Sequence, residues 1–240
     1  MCKLLKYSSS EVVSKQVGPH RQLANNVQKH LASTYRSPVP QHTRSIYLDL
    51  KSQGIIGTSP LVLDSGCGTA ESTLKLANSF PGCTVIGIDK SEKRLAKTLQ
   101  KVELPSNCHI IRADLVGFWQ LLLKDKISLK AHNIFYPNPW PKPGHFKRRW
   151  HGHPVFPTLL SLGGLLELRS NWRVYVEEFA WAVELATGQS AEVEVISPSE
   201  MCSPFERKYS KSKHSLYRYR LLVEDSMLEG MLCHNNSSIQ

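Results

Sequence analysis

The sequence predicts an α/β fold, in which a mostly parallel sheet of about seven strands is covered by helices on both faces. Short apolar runs alternate with amphipathic segments along most of the chain, and this alternation is typical of parallel sheets built from strand–helix–strand units. Several apolar runs end in an aspartate or an asparagine. In such sheets ligands bind beyond the carboxyl ends of the strands, so these polar side chains are the first candidates for a site.

The individual elements follow from this alternation in chain order. Residues 20–50 are amphipathic and helical, with a break at the prolines of residues 36–40. Strands are predicted for seven short segments, residues 60–66, 83–91, 108–115, 131–138, 165–171, 191–197 and 215–225. Helices are predicted between them for residues 70–80, 92–102, 116–126, 155–162 and 174–187. These elements suggest an N-terminal helical extension over residues 1–57, a catalytic domain over 58–225 and a polar tail over 226–240.

Composition narrows the class of protein. The 240 residues carry a net charge of +10, and residues 207–220 hold six Lys or Arg and no acid. Such an excess favours a polyanionic partner, with nucleic acid first and an anionic membrane second, although a solvated basic face would have the same composition. None of the six cysteines forms a CxxC pair, and no apolar run is long enough to span a membrane. We therefore expect a cytoplasmic protein with no membrane partner and no metal; its oligomeric state stays open.

A glycine pair marks the first candidate site. Gly66 and Gly68 stand between the first strand and the following helix, where glycines let the backbone turn tightly and approach a ligand. Asp64 precedes the pair, and Asp89 closes the next strand, where a carboxylate can bind a ribose diol. Glu71 stands where a dinucleotide motif would place its third glycine, so a nucleoside fits better than a nicotinamide dinucleotide. With Asp114 near the adenine amine, this set suits S-adenosylmethionine.

The second candidate site is the segment FYPNPWPKPGHFKRRWHGHP, residues 135–154. Its prolines exclude a helix interior and a central strand, so we expect an irregular, functional segment. The cations Lys147, Arg148 and Arg149 stand between aromatic residues and could hold RNA phosphates, although a solvated loop is the simpler alternative. The three histidines of the segment have no carboxylate partner at metal-ligand spacing, so no metal site is expected.

Four motifs resemble those of the tRNA (guanine-N7) methyltransferases, which have PDPWxK, KRR, TDW and T-x-F-E in this order. Here they stand as PNPWPK (137–142), KRR (147–149), SNW (170–172) and SPFE (203–206). The resemblance covers roughly residues 60–221 and implies the Rossmann-like fold of class I methyltransferases, with S-adenosylmethionine as cofactor and tRNA as substrate. It also implies that Asn138 orients the base. The remaining substrate-binding residues that it implies are Lys142, Lys147, Arg148, Arg149, Asn171, Ser203, Phe205 and Glu206.

Two departures from the family pattern leave the substrate open. Asn138 and Asn171 replace aspartates, and an amide presents a donor where a carboxylate presents only acceptors. Guanine N7 has a free lone pair, so methylation needs positioning rather than a base, and an asparagine can still orient the ring. Asn138-Pro139-Trp140 also resembles the NPPY-type motif of amino-group methyltransferases, without its second proline. Methylation of an exocyclic amine or a small molecule, or RNA binding without catalysis, therefore stay as alternatives.

Overall fold

A computed structural model describes residues 9–200 and 202–224. The helices are α1 (Leu23–Leu31), α2 (Gln41–Ser52), α3 (Glu71–Ser79), α4 (Glu92–Leu99), α5 (Leu115–Lys124), α6 (Phe156–Leu160), α7 (Arg173–Thr187) and α8 (Pro204–Lys211). The strands are β1 (Leu61–Ser65), β2 (Thr84–Asp89), β3 (Cys108–Arg112), β4 (Leu129–Phe135), β5 (Gly164–Ser170), β6 (Val193–Val195) and β7 (Tyr217–Val223). The predicted tail at residues 226–240 lies outside the described residues.

The seven strands form one sheet in the order β3-β2-β1-β4-β5-β7-β6. The pairs among β1 to β5 are parallel, whereas β7 runs antiparallel to β5 and β6. Parallel neighbours place their carboxyl ends at one edge, so the residues that follow β1, β2, β4 and β5 converge there. The predicted fold class, a mostly parallel sheet with helices on both faces, is confirmed.

The core lies on both faces of the sheet because successive side chains of a strand point to opposite faces. In β1, Leu61 and Leu63 belong to the larger apolar cluster, together with residues of α1, α2, α5, α6 and α7. Val62 belongs to the smaller cluster, with Ala77 of α3 and Val85 of β2. All five residues of β1 are therefore buried, as a continuous apolar run in a covered parallel sheet predicts.

The N-terminal helices pack on the same core as the rest of the chain. Helix α1 contacts α7 and helix α2 contacts α5, with Leu23, Val27, Tyr47 and Leu50 buried in the larger cluster. A domain boundary near residue 57 stays a prediction. Within the described ranges, no helix combines the length and the apolar character needed to cross a membrane.

Two parts of the chain differ from the predicted elements. The Pro-rich segment contains two short 3-10 helices, Pro143–Arg148 and Trp150–Gly152, instead of being irregular throughout. Helix α8 was not predicted, because residues 203–206 were interpreted as pocket residues. Ser203 accepts a hydrogen bond from the Glu206 amide, and the Glu206 side chain accepts from the Ser203 amide, so the S-x-x-E pattern is a capping box.

Candidate active site

A cleft of about 580 Å³ opens at the carboxyl ends of the parallel strands. One end, which we call the nucleoside end, is lined by Ser65, Gly66, Asp89, Arg94 and Leu115. The other, which we call the base end, is lined by Asn138, Trp140, Arg148, Asn171 and Tyr209. The glycine loop and the Pro-rich segment, 70 residues apart in the chain, thus share one cleft.

Asp89 organises the nucleoside end. Its Oδ2 accepts a hydrogen bond from the Gly68 amide at 3.0 Å, and its Oδ1 accepts from the Ser91 amide at 2.7 Å. Gly68 adopts φ +62°, a conformation that glycine takes without strain. The Arg94 guanidinium also lies 2.8 Å from Oδ1. A carboxylate has about four lone-pair sites, and the Gly68 amide, the Ser91 amide and Arg94 already occupy three of those on Asp89. Because a ribose diol brings two hydroxyl donors, it would compete with Arg94 for Asp89.

Asp64 lies beneath the glycine loop rather than in the cleft. Its Oδ2 accepts hydrogen bonds from the hydroxyls of Ser72 and Thr73, both at 2.7 Å. Thr73 comes this close because Gly87 of β2 has no side chain: a Cβ there would meet the threonine hydroxyl at 2.4 Å. Burial raises the pKa of Asp64 to about 6, because its effect is larger than that of the two hydroxyl hydrogen bonds, which lower the pKa. Asp64 therefore anchors α3 to β1 behind the site.

Asp114 is a helix cap in this structure. Its Oδ1 accepts a hydrogen bond from the Gly117 amide at 2.9 Å at the start of α5, and its Oδ2 pairs with Lys90 at 3.0 Å. Lys90 and Leu115 line the cleft, whereas Asp114 does not. Leu115 thus offers an apolar wall at the place where the sequence predicted a contact to adenine.

The base end is built on an unusual backbone. Tyr136 and Trp140 have φ of +52° and +44°, in the left-handed region that bulky residues rarely adopt. Between them, Asn138 Oδ1 accepts a hydrogen bond from the Trp140 amide at 3.3 Å. The Arg148 guanidinium stacks over the Trp140 ring at 4.7 Å. Backbone strain of this kind concentrates at functional sites.

Arg149 does not fit the predicted contact with RNA, because its side chain is fully buried. Its guanidinium pairs with Glu178 at 2.5 Å and with the Gln16 side-chain oxygen at 3.0 Å. His151 Nε2 lies 2.8 Å from the same Glu178 carboxylate. Burial alone would raise the pKa of Glu178, but the hydrogen bonds and charges of His151 and Arg149 lower it to about 2. The end of the KRR motif therefore belongs to a buried ionic cluster.

The SPFE motif also lies largely behind the cleft. Glu206 is buried and accepts hydrogen bonds from Arg169 at 2.7 Å and from the Tyr136 hydroxyl at 3.2 Å. Ser203 caps α8. Phe205 lies partly exposed beside Tyr136, with ring centroids 6.4 Å apart. This motif thus supports the strained residue Tyr136, while Lys142 and Lys147 are exposed on the Pro-rich segment.

An N-terminal segment, residues 9–16, was missed as part of the site. The Ser9 amide donates a hydrogen bond to the Ser212 hydroxyl at 3.0 Å, just after the end of α8. The Ser14 hydroxyl donates a hydrogen bond to the Pro141 carbonyl at 2.6 Å. Between these two attachments, Ser10 and Val12 line the cleft. Neither residue type carries a chemical signature, so the sequence offered no signal. Tyr209 and Glu178 were missed as well, although a glutamate on the apolar face of α7 was a detectable signal.

Two histidines of the Pro-rich segment contact other side chains of the protein. Within residues 9–200 and 202–224, no group of three or more His, Cys, Asp or Glu side chains is arranged to hold a metal ion. His151 is engaged with Glu178, and His145 packs edge-on against the Trp140 ring at 5.6 Å.

The fold and the cleft together define a class I methyltransferase fold, and solved structures agree. The chain superposes on an antibiotic-related methyltransferase with a TM-score of 0.54 and 16% identity, covering 80% of this chain and 98% of that one. It superposes on a 16S rRNA methyltransferase with a TM-score of 0.52 and 16% identity, covering 78% and 97%. These likenesses concern the fold.

Sequence comparisons give the family. The family model described as "Putative methyltransferase" matches residues 58–219, and the chain belongs to this family. A tRNA (guanine-N(7)-)-methyltransferase of Methylobacillus flagellatus is 34% identical over 145 residues, which are 58% of this chain and 59% of the relative. One of Mycolicibacterium gilvum is 36% identical over 132 residues, 51% and 50%. One of Alcanivorax borkumensis is 29% identical over 180 residues, 70% and 74%.

These matches confirm the resemblance drawn from the four motifs. The chain spans 59% of the length of the first of these relatives and 50% of the second.

Proposed function

We propose that this protein transfers a methyl group from S-adenosylmethionine to guanine N7 in tRNA. The observation that carries the proposal is the shared cleft, in which the glycine loop and Asp89 lie at one end and Asn138 with Asn171 at the other. The names of the curated relatives support the substrate. We further propose residues 58–225 as the catalytic domain and residues 1–57 as an extension that helps to close the cleft. A cytoplasmic location stays a prediction.

The residues of the nucleoside end suit S-adenosylmethionine. Asp89 presents a buried carboxylate to a ribose diol, Gly66 and Gly68 allow close approach, and Leu115 offers an apolar surface to adenine. When bound, S-adenosylmethionine supplies an electrophilic methyl group on a sulfonium. Ribose binding at Asp89 would displace the Arg94 guanidinium, which then becomes free to meet an anionic group at the cleft rim.

The protein's part in methyl transfer is positioning. In this transfer the N7 lone pair would form the new bond to the methyl carbon, while the electron pair of the carbon–sulfur bond would be left on sulfur. No proton leaves the base, so no residue has to act as a general base. Asn138 and Asn171 would orient the ring, and Trp140 and Tyr209 would stack on it. The cations Lys142 and Lys147 would bind phosphates near the cleft, and Arg148, which lines the base end, would face the base.

The test is a methylation assay with purified protein, unfractionated tRNA and methyl-labelled S-adenosylmethionine. Digestion of the RNA and nucleoside analysis should find the label in N7-methylguanosine. Label in another nucleoside would overturn the guanine-N7 assignment. A protein that fails to bind S-adenosylmethionine in calorimetry would be a non-catalytic relative, and the whole proposal would fall.

A second candidate function is methylation of an exocyclic base amine. It is favoured by Asn138, whose side chain lines the cleft next to Pro139 and Trp140, as in the NPPY-type arrangement. In that case the same assay would place the label on an exocyclic nitrogen of adenine, guanine or cytosine.

A further inference from the structure

The base end of the cleft contains no acidic residue among the described lining residues. Among the described residues Asp89 is the one carboxylate that lines the cleft, and it is paired with Arg94 at the nucleoside end. At the base end the charged residue is Arg148, and the polar side chains are Asn138, Asn171 and Tyr209. With a cation and no carboxylate, this end favours hydrogen-bond acceptors.

The orientation of the Asn138 amide follows from its hydrogen bond. The partner is the backbone N–H of Trp140, which can only donate, so the atom that receives it must be the side-chain oxygen. This assignment does not depend on distinguishing oxygen from nitrogen by position. The amide nitrogen then has no hydrogen-bond partner within the described residues, and the exposed side chain lines the cleft. Two N–H donors are thus available to a substrate.

An aspartate at the same position would have the opposite polarity. One carboxylate oxygen would accept from the Trp140 amide, and the second oxygen would face the cleft as an acceptor. Such an oxygen suits the N1–H and N2–H₂ donors on the Watson–Crick edge of guanine. The asparagine of this chain leaves its nitrogen at that place, where it would meet those donors with donors of its own.

We propose that Asn138 recognises the target guanine through its O6 acceptor rather than through its N1–H and 2-amino donors, with Arg148 as a second donor at the same edge. This inference rests on the proposed function. O6 is adjacent to N7 on the major-groove edge of guanine, so a donor on O6 holds the ring while the N7 lone pair stays free. Because no carboxylate faces the ring, the 2-amino group of the base contributes little to recognition.

Base analogues test the inference directly. The methylated position is first mapped in the tRNA assay, and transcripts are then made with hypoxanthine, 1-methylguanine or 2-aminopurine at that position. Hypoxanthine keeps O6 but lacks the 2-amino group, 1-methylguanine keeps O6 but lacks N1–H, and 2-aminopurine lacks both O6 and N1–H. The intrinsic reactivity of each N7 is measured with dimethyl sulfate and divided out. We expect kcat/KM to fall less than about threefold with hypoxanthine and with 1-methylguanine and more than about thirtyfold with 2-aminopurine.

Two variants complete the design. Asn138→Asp should make hypoxanthine and 1-methylguanine poor substrates relative to guanine, because the new oxygen needs the donors that these analogues lack. Lys142→Gln, on the same exposed segment, should change kcat/KM for guanine and for all three analogues by the same factor and leave their ratios unaltered. Thermal unfolding and cofactor binding establish that each variant is folded.

The outcomes separate this inference from the proposed function. A wild-type enzyme that methylates guanine but rejects hypoxanthine or 1-methylguanine as strongly as 2-aminopurine would overturn the O6 assignment alone. Absence of any methyl transfer to guanine N7 would overturn both the function and the assignment that depends on it.

Discussion

Glu178 lies at the centre of a buried ionic cluster. Its Oε1 accepts hydrogen bonds from the Gln16 side chain at 2.5 Å and from the His20 amide at 2.7 Å, and its Oε2 faces Arg149 and His151. Among the described residues His151 Nδ1 is buried without a hydrogen-bond partner, so the ring joins the cluster through Nε2. The cluster joins the N-terminal segment, the Pro-rich segment and α7.

Glu178→Gln is expected to destabilise the protein by about 3 to 5 kcal/mol, because the buried Arg149 charge loses its counter-ion. Urea unfolding measures this change. Glu177→Gln is the matched control: its partner Arg173 is largely exposed on the same helix, and solvent screens such a pair so that it contributes little to stability. Equal losses in the free energy of unfolding for the two variants would show that the buried cluster stabilises the fold no more than an exposed ion pair does.

The same carboxylate predicts a pH dependence. The folded pKa of Glu178 is lowered to about 2 from its ordinary value of 4.5. The contribution of Glu178 to the free energy of unfolding is therefore complete above pH 4.5 and is lost as the pH falls from 4.5 towards 2. Unfolding free energies measured between pH 6 and pH 2.5 should fall steeply in the wild type and less steeply in Glu178→Gln.

Asp64 predicts a dependence of the opposite sign. Burial raises the pKa of Asp64 from 3.8 to about 6, so the folded state binds this proton more tightly than the unfolded state does. The stability that the proton contributes is complete below pH 3.8 and is lost as the pH rises through 6. Asp64→Asn keeps an acceptor for both hydroxyls without the buried charge. We expect it to stabilise the ligand-free protein by up to about 3 kcal/mol at pH 8 and by little at pH 4.

Thermal unfolding at the two pH values measures the effect of Asp64→Asn. Asp49→Asn, on the exposed face of α2, should have no effect at either pH. A loss of stability in Asp64→Asn that is the same at pH 4 and pH 8 would contradict the buried-charge argument.

At the scale of elements, the strands and most helices were predictable because each is a local pattern. Every observed strand lies within or largely overlaps a predicted one. Helix α8 was not predicted, because the pattern from Ser203 to Glu206 has two physical meanings, a capping box and a pocket motif, and only packing separates them. The antiparallel direction of β7 depends on pairing with β5, distant in the chain, which its apolar pattern does not encode.

The N-terminal segment offers a matched pair of neighbours for testing its role in the cleft. Val12 lines the cleft and packs on the core, whereas the next residue, Val13, is 85% exposed. A carboxylate at position 12 would have to leave its apolar contacts and would lift the segment from the cleft. Val12→Asp should therefore weaken binding of S-adenosylmethionine about tenfold, which corresponds to about 1.4 kcal/mol.

Calorimetric titration measures the two affinities. Val13→Asp introduces the same charge one residue away and should change the dissociation constant less than twofold. Equal weakening by both variants would point to a general electrostatic effect rather than to closure of the cleft by this segment.

At the scale of the whole molecule, the candidate site was predictable as a set of positions but not as a set of contacts. Asp89, Gly66, Asn138, Arg148 and Asn171 do line one cleft, because strand ends meet at one edge of a parallel sheet. Arg149 and Glu206 are charged residues that the sequence also predicts for the site, but their partners Glu178 and Arg169 lie on other elements and both side chains are buried. Composition therefore identifies a charged residue, and only tertiary packing decides whether it meets substrate.

The basic surface beside the cleft leads to a prediction about RNA binding. A groove of about 760 Å³ runs between residues 15–22 and the turn at residues 143–147, and Lys15, Arg21 and Lys147 line it as exposed cations. Three phosphate contacts would release about three counterions on binding RNA. Replacing all three residues by glutamine should raise the KM for tRNA at least tenfold and flatten the slope of log KM against log salt by about 2 to 3, with little change in cofactor affinity.

The matched control is a second set of three exposed lysines around the amino end of β4, Lys124, Lys126 and Lys130. That end of the sheet is opposite the cleft. Their triple glutamine variant has the same net charge and should keep the wild-type salt slope. Equal slopes for both triple variants would show that net charge alone attracts the RNA and that the groove does not guide it to the cleft.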